Sequence, residues 1–182
     1  GAALEPALRA ISARADHPLR AEAIRLATRH GVRLDPAYYR RVVEDGQAGE
    51  AERGAALLAL AQEPPTDFRA VVDRALAQGP ASLRMDARRL LVTLDPVAAR
   101  PVLVEAVQSA PPAEGAAALQ ALNGLPTETA APELARWLGQ MTAGTFPSAL
   151  QVDLLDAARA VPAPAVETAV AAWRASLPAG DD

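Results

Sequence analysis

Apolar residues recur along this chain at spacings of three and four, interrupted at short intervals by proline. In "LQVDLLDAARA", Leu150, Leu154, Leu155 and Ala158 fall on one helical face, and Asp153, Asp156 and Arg159 lie off it. Reading from break to break predicts helices over 4–15, 18–30, 36–45, 49–62, 67–78, 81–94, 96–109, 112–123, 128–142, 147–160 and 163–176. Asp35-Pro36, Thr66-Asp67 and Asp95-Pro96 read as helix starts, because an N-cap oxygen accepts from free backbone N–H groups and Pro suits the first turn. No segment alternates as a strand does.

Every second predicted helix can be laid on its sisters. "LRAEAIRLA" from Leu19, "ERGAALLAL" from Glu52, "LRMDARRLL" from Leu83, "AEGAAALQA" from Ala113 and "LQVDLLDAA" from Leu150 align at separations of 33, 31, 30 and 37 residues. The second position is Arg20, Arg53, Arg84, Glu114 and Gln151; three residues on come Ala23, Ala56, Ala87, Ala117 and Leu154. A period of this size with two helices per unit predicts an α-solenoid, whose hairpins bury their apolar faces only by stacking. The expected fold is therefore all-α, a right-handed α-α superhelix of about five helical hairpins plus a terminal helix, spanning residues 1–182 as a single repeat domain. The small Ala residues mark the closest helix approach. The larger core is assigned to Leu57, Leu60, Leu90, Leu91, Leu103, Leu119, Leu122, Leu134, Leu138 and Leu155. Pro101 and Pro132 lie inside their helices, and a bend is expected at Pro101. Second helices are expected on the concave side.

Composition sharpens this picture in only a few places. Hydrophobic residues are 51% of the chain but aromatics only 3%, so the apolar content is Ala, Leu and Val, which favour helix. Net charge is −4; residues 1–91 carry 14 Arg against 12 acidic residues, and residues 92–182 carry 4 against 10. That asymmetry argues against a continuous phosphate-tracking groove. Having no cysteine, the chain can form neither disulfides nor thiolate metal sites. No apolar run approaches the ~20 residues of a membrane span, so no membrane insertion is expected. There is no signal-peptide pattern at the start, and Gly1 followed directly by helix-forming sequence without an initiating Met suggests a piece of a longer protein.

Candidate chemistry is sparse. His17 and His30 flank helix ends and have no companion ligands, so no metal is expected. Asp153 with Asp156, and Glu44 with Asp45, read as solvated carboxylates. Arg40-Arg41 and Arg88-Arg89 with Tyr38 and Tyr39 are the best candidates for nucleic acid, a class that remains unlikely on charge grounds. Arg88 falls where Ile24, Leu57 and Leu155 stand in sister helices, so it is either paired inside or turned to the rim. Trp137 and Trp173 lie 36 residues apart at repeat spacing and read as core filler, with Trp173 the better placed to face a neighbour. There is no Walker loop, dinucleotide fingerprint or nucleophile elbow, and neither cofactor nor catalytic residue is assigned.

The segments "HPLRAEAIRLA" and "ASLRMDARRLLVTLDP" resemble HEAT repeats, a family of armadillo-type solenoids whose second helices open with Arg followed by spaced Ala and Leu. "ELARWLGQMTAGTFPSALQVDLLDAARAV" with "AWRASLPAGDD" resembles, more narrowly, the HEAT segment between a β-propeller and a c-type cytochrome domain in dehydrogenase-like proteins of planctomycete-type bacteria. That resemblance implies a non-catalytic scaffold, a neighbouring domain or protein as partner, and a periplasmic or cell-envelope setting. The residues expected to touch such a partner are Arg20, Arg53, Arg84, Arg88 and Trp173. For the first three, hydrogen bonds to turn carbonyls or salt bridges between repeats are the simpler use. The competing class is a solenoid enzyme, a DNA glycosylase or a pigment-attaching lyase, which a buried acid beside aromatics in the concave groove would favour and a groove lined by Arg and Ala alone would not.

Overall fold

A computed structural model describes residues 4–14, 17–32 and 34–177. Among them the chain is all-α, as the periodicity predicts, with eleven α-helices and no strand. Contacts gather into two compact units, residues 1–90 and 91–182, and the division falls within one helix.

The first unit holds α1 (Leu4–Ser12), α2 (Arg20–Arg29), α3 (Pro36–Glu44), α4 (Glu50–Leu60), α5 (Phe68–Gln78) and the larger part of α6 (Ala81–Leu94). Here α1 packs on α2 and α3 on α4, while α4 also packs on α2 and α5 on α3. Helices α2, α3 and α4 thus each lean on a hairpin partner and on a sister in a neighbouring hairpin, the arrangement of stacked pairs that have no core alone. Asp35 caps α3 by accepting from the Ala37 N–H at 2.8 Å, with Pro36 in the first turn. Asp67 also precedes its helix but caps nothing with its side chain, which instead accepts from Arg40 Nη2 at 2.6 Å. The core contains Ile24, Val42, Leu57, Leu60, Val72 and Leu83.

The second unit holds the end of α6 with α7 (Pro96–Ser109), α8 (Pro112–Leu122), α9 (Thr127–Thr142), a 3-10 turn (Ser148–Leu150), α10 (Gln151–Ala160) and α11 (Pro164–Ser176). The same alternation recurs: α7 packs on α8 and α9, α10 on α8 and α9, and α11 on α9 and α10. Asp95 caps α7, accepting from the Ala98 N–H at 3.0 Å. Helices α7 and α9 run without interruption through Pro101 and Pro132. The missing N–H groups belong to the i−4 carbonyls of Val97 and Glu128, both exposed residues, where water can serve instead.

The fourth second-helix sits one residue away from its expected register. Ala117 and Ala121 are half-buried, whereas Ala118, Leu119 and Leu122 are fully buried. Gly115, rather than Glu114, therefore occupies the Arg register, and the sister separations become 33, 31, 31 and 36. Burying Leu119 and Leu122 together removes more apolar surface from water than burying two alanines, and this decides the rotation. Leu90 and Leu155 are only half-buried; the other assigned core leucines are buried.

Candidate functional site

The three arginines that open second helices each close the end of the preceding helix. Arg20 Nε donates to the Ser12 carbonyl and to the Tyr38 hydroxyl, both at 3.3 Å, and Arg20 Nη1 meets Glu52 Oε2 at 3.5 Å. Arg53 Nε donates to the Val43 carbonyl at 2.8 Å, and Arg84 Nη1 to the Gly79 carbonyl at 2.8 Å. Ser12 and Val43 lie in the last turns of α1 and α3, and Gly79 caps α5. A helix leaves its last carbonyls without intrahelical partners, and a guanidinium satisfies them while favouring the negative end of the dipole. Arg20 is buried and Arg53 and Arg84 are half-buried, so these groups serve the hairpins themselves.

Most of the other basic and aromatic candidates of the first unit are also engaged. Tyr38 donates its hydroxyl proton to the Ser12 carbonyl at 2.6 Å, and Arg20 lies 5.7 Å from the centre of its ring. Tyr39 is buried; burial raises its pKa above the usual 10.0, against hydrogen bonds with Thr28 and Leu34 that lower it. Arg40 pairs with Asp67, and Glu44 with Arg74. Arg88 is buried in α6, while Arg41 and Arg89 are exposed. His17 Nδ1 accepts from the Leu19 N–H at 3.1 Å, and His30 caps α2 through its backbone N–H. Asp156 is paired with Arg159 on the same exposed face of α10. Among the described residues no group of three or more His, Asp or Glu is placed to hold a metal ion, and no helix is long and apolar enough to cross a membrane.

A buried acid that the sequence did not single out sits in the second unit. Glu133 of α9 accepts from Arg100 Nε of α7 at 3.0 Å through Oε1, and from Arg136 Nε and Nη2 at 3.0 and 2.7 Å through Oε2. Burial alone would raise its pKa, but the hydrogen bonds and charges of Arg136 and Arg100 outweigh burial and hold it below the ordinary 4.5. Arg136 lies 5.2 Å from the ring centre of Trp137, which is fully buried and 6.4 Å from Phe146. An acid beside an aromatic is thus present, yet both its oxygens are committed to guanidinium forks and its proton affinity is lowered. That suits a clasp between α7 and α9 more than a general acid, which needs a raised pKa. Glu133 and Arg136 are three apart, a spacing visible in the sequence; the Arg100 partner, 33 residues earlier, is legible only with the repeat period in hand.

The terminal helix is the exception to this pattern of engaged side chains. On α9 the stripe Ala130, Leu134, Trp137 and Met141 is buried. The same spacing gives Val166, Val170 and Trp173 on α11 and Leu177 just past its end, of which only Val166 is buried. Val170 and Trp173 are half-buried, Leu177 is 49% exposed, and on neighbouring α10 Val152 is 71% exposed. No protein-family model, curated protein or solved structure matches this chain.

Proposed function

We propose that this chain is a non-catalytic interaction module, a scaffold of stacked helical hairpins that holds a neighbouring protein domain through its α10–α11 end. One observation carries the reading: the stripe buried on α9 reappears on α11 and is left half-open, with Trp173 at its centre. An apolar stripe rimmed by polar residues marks an interaction site when larger charged features are already internally satisfied. The arginines first considered for partner contact support the same division of labour, since Arg20, Arg53 and Arg84 hold turn carbonyls.

The resemblance of residues 133–182 to the HEAT segment ahead of a c-type cytochrome domain names the neighbour in this proposal: a haem domain held in register, in a periplasmic or cell-envelope protein. The test is the reading frame beyond Asp182. A downstream Cys-x-x-Cys-His supports the redox-spacer reading; an open frame without it overturns the haem assignment. A second reading, a solenoid enzyme of the glycosylase or lyase type, would draw on Glu133 of α9, whose partner Arg136 lies over the Trp137 ring. Glu133→Gln that abolished such an activity while leaving the melting temperature intact would support it, whereas loss of stability alone marks the clasp.

A further inference from the structure

We propose that the Asp45–Gly46 link, in the turn between α3 and α4, is a site of spontaneous backbone isomerisation. The product is an isoaspartyl residue, the substrate class of a protein carboxyl methyltransferase. The same fold shields Asn123–Gly124, the only Asn-Gly link in the sequence as Asp45–Gly46 is its only Asp-Gly. The inference lies outside the interaction-module reading and does not rest on it.

The two links share one chemistry. The glycine nitrogen attacks Cγ of the preceding side chain, and its proton departs with the displaced group, as water from Asp45 or ammonia from Asn123. A five-membered succinimide remains, which water then opens. Addition at the Cγ carbonyl gives an ordinary aspartyl peptide. Addition at the main-chain carbonyl breaks the original C–N bond and leaves the chain running through Cβ, with a free α-carboxylate. For Asp45 no atom is gained or lost overall; for Asn123 the amide nitrogen is exchanged for oxygen. Glycine favours ring closure because it has no β-carbon to obstruct its nitrogen and its backbone turns freely. A carboxylate ion resists attack where an amide does not, so chemistry alone ranks Asn123 first.

Geometry separates them the other way. Asp45 and Gly46 are both exposed. Asp45 Oδ1 accepts from the Gln47 N–H at 2.9 Å, an Asx turn that folds the carboxyl over the Asp45–Gly46 peptide. The Gly46 N–H meets no acceptor among the described residues, and a β-carbon on Gly46 would have nothing within 4 Å. Asn123, by contrast, closes α8 in helical conformation, with φ −63° and ψ −19°. The N–H groups of Asn123, Gly124 and Leu125 donate in turn to the carbonyls of Gln120, Ala121 and Leu122, at 3.2, 3.1 and 3.0 Å. A β-carbon on Gly124 would stand 2.8 Å from Val92 Cγ1, and Leu122 and Leu125 are buried on either side of the pair. The attacking nitrogen is therefore engaged and its backbone held, so reaction at Asn123 waits on local opening, whereas Asp45–Gly46 reacts from the folded state.

The experiment ages the native protein in warm buffer beside a sample unfolded in guanidinium chloride. After dialysis, labelled methyl transfer by an isoaspartyl methyltransferase with peptide mapping reads residue 45, and the mass of the peptide spanning residue 123 reads deamidation. Each site is scored by its rate in the folded protein against its own rate in the unfolded one. We expect folding to leave the Asp45 rate nearly unchanged and to slow Asn123 severalfold or more. Gly46→Ala is expected to cut methyl uptake at residue 45 severalfold with an unchanged melting temperature, because Gly46 has no positive φ and a methyl group there meets open space. Folding that slows Asp45 as much as Asn123 overturns the inference, as does methyl uptake at residue 45 indifferent to Gly46→Ala. Deamidation of Asn123 in the folded protein at its unfolded rate overturns the shielding.

Discussion

The two units close the same hairpin in different ways. In residues 1–90 the first turn of each second helix carries an arginine, and its guanidinium reaches back to a carbonyl at the end of the preceding helix. In residues 91–182 the same register holds Gly115 and Gln151. A β-carbon on Gly115 would stand 2.9 Å from Leu150 Cδ1 and 3.5 Å from the Ala106 carbonyl oxygen, so a side chain there would have to displace the end of Leu150. The first unit meets the ends of α1, α3 and α5 with guanidinium groups; the second has no arginine in that register and carries the large side chains Trp137, Leu134 and Leu138 at no exposure. One repeat plan thus accepts two kinds of seal, polar or packed.

Five substitutions test that contrast. Trp137→Ala is expected to cost about 3–5 kcal/mol in urea unfolding, since a fully buried ring leaves a cavity that α7, α10 and α11 cannot all collapse into. Trp173→Ala, at a half-buried site, should cost a small fraction of that, and equal costs would show that the two tryptophans are equally enclosed. Arg20→Met is expected to cost about 1.5–3 kcal/mol, because the Ser12 carbonyl and Glu52 lose a charged partner in a buried setting. Gln151→Ala should lie within about 0.5 kcal/mol of the native protein, and a large loss there would mean that the second unit relies on the same polar seal. Ala56→Leu should cost about 1–3 kcal/mol by overpacking a position with no exposure; an unchanged melting temperature would place the closest α4 contact elsewhere.

The helices were legible because their stops are chemical. Asp35-Pro36 and Asp95-Pro96 announce a capped start in sequence and deliver one in structure. Asp67 shows the limit, for a capping residue type in a capping position was drawn instead to Arg40, 27 residues away. Rotation of α8 was hidden for another reason: alanines recur so often in "AEGAAALQA" that two registers match equally well as letters, and only the volume of Leu119 and Leu122 separates them. Glu133 was overlooked because a lone acid on a helix reads as solvated until its partners from α7 and its own next turn are brought together. The half-open stripe of α11 was foreshadowed at Trp173, but its extent depends on burial, which spacing alone does not supply.

The smallest expected effect separates the units by sign. Asp86 of α6 lies against α4, with a β-carbon on Gly54 standing 3.0 Å from Asp86 Oδ2, and burial raises its pKa above 3.8 despite the opposing charge of Arg89. A carboxyl whose folded pKa is raised supports the fold when protonated: that support is complete below 3.8 and is lost as pH rises through the folded value. Glu133 runs the other way, its support present above 4.5 and lost as pH falls through its lowered pKa. Asp86→Asn should therefore raise stability at pH 7 by at most about 0.5 kcal/mol and change little at pH 3. Thermal melts of the native and Asp86→Asn proteins at the two pH values measure this directly. A gain at pH 3 as large as that at pH 7 would show that the amide helps by packing against Gly54, and that the charge of Asp86 is no burden to the first unit.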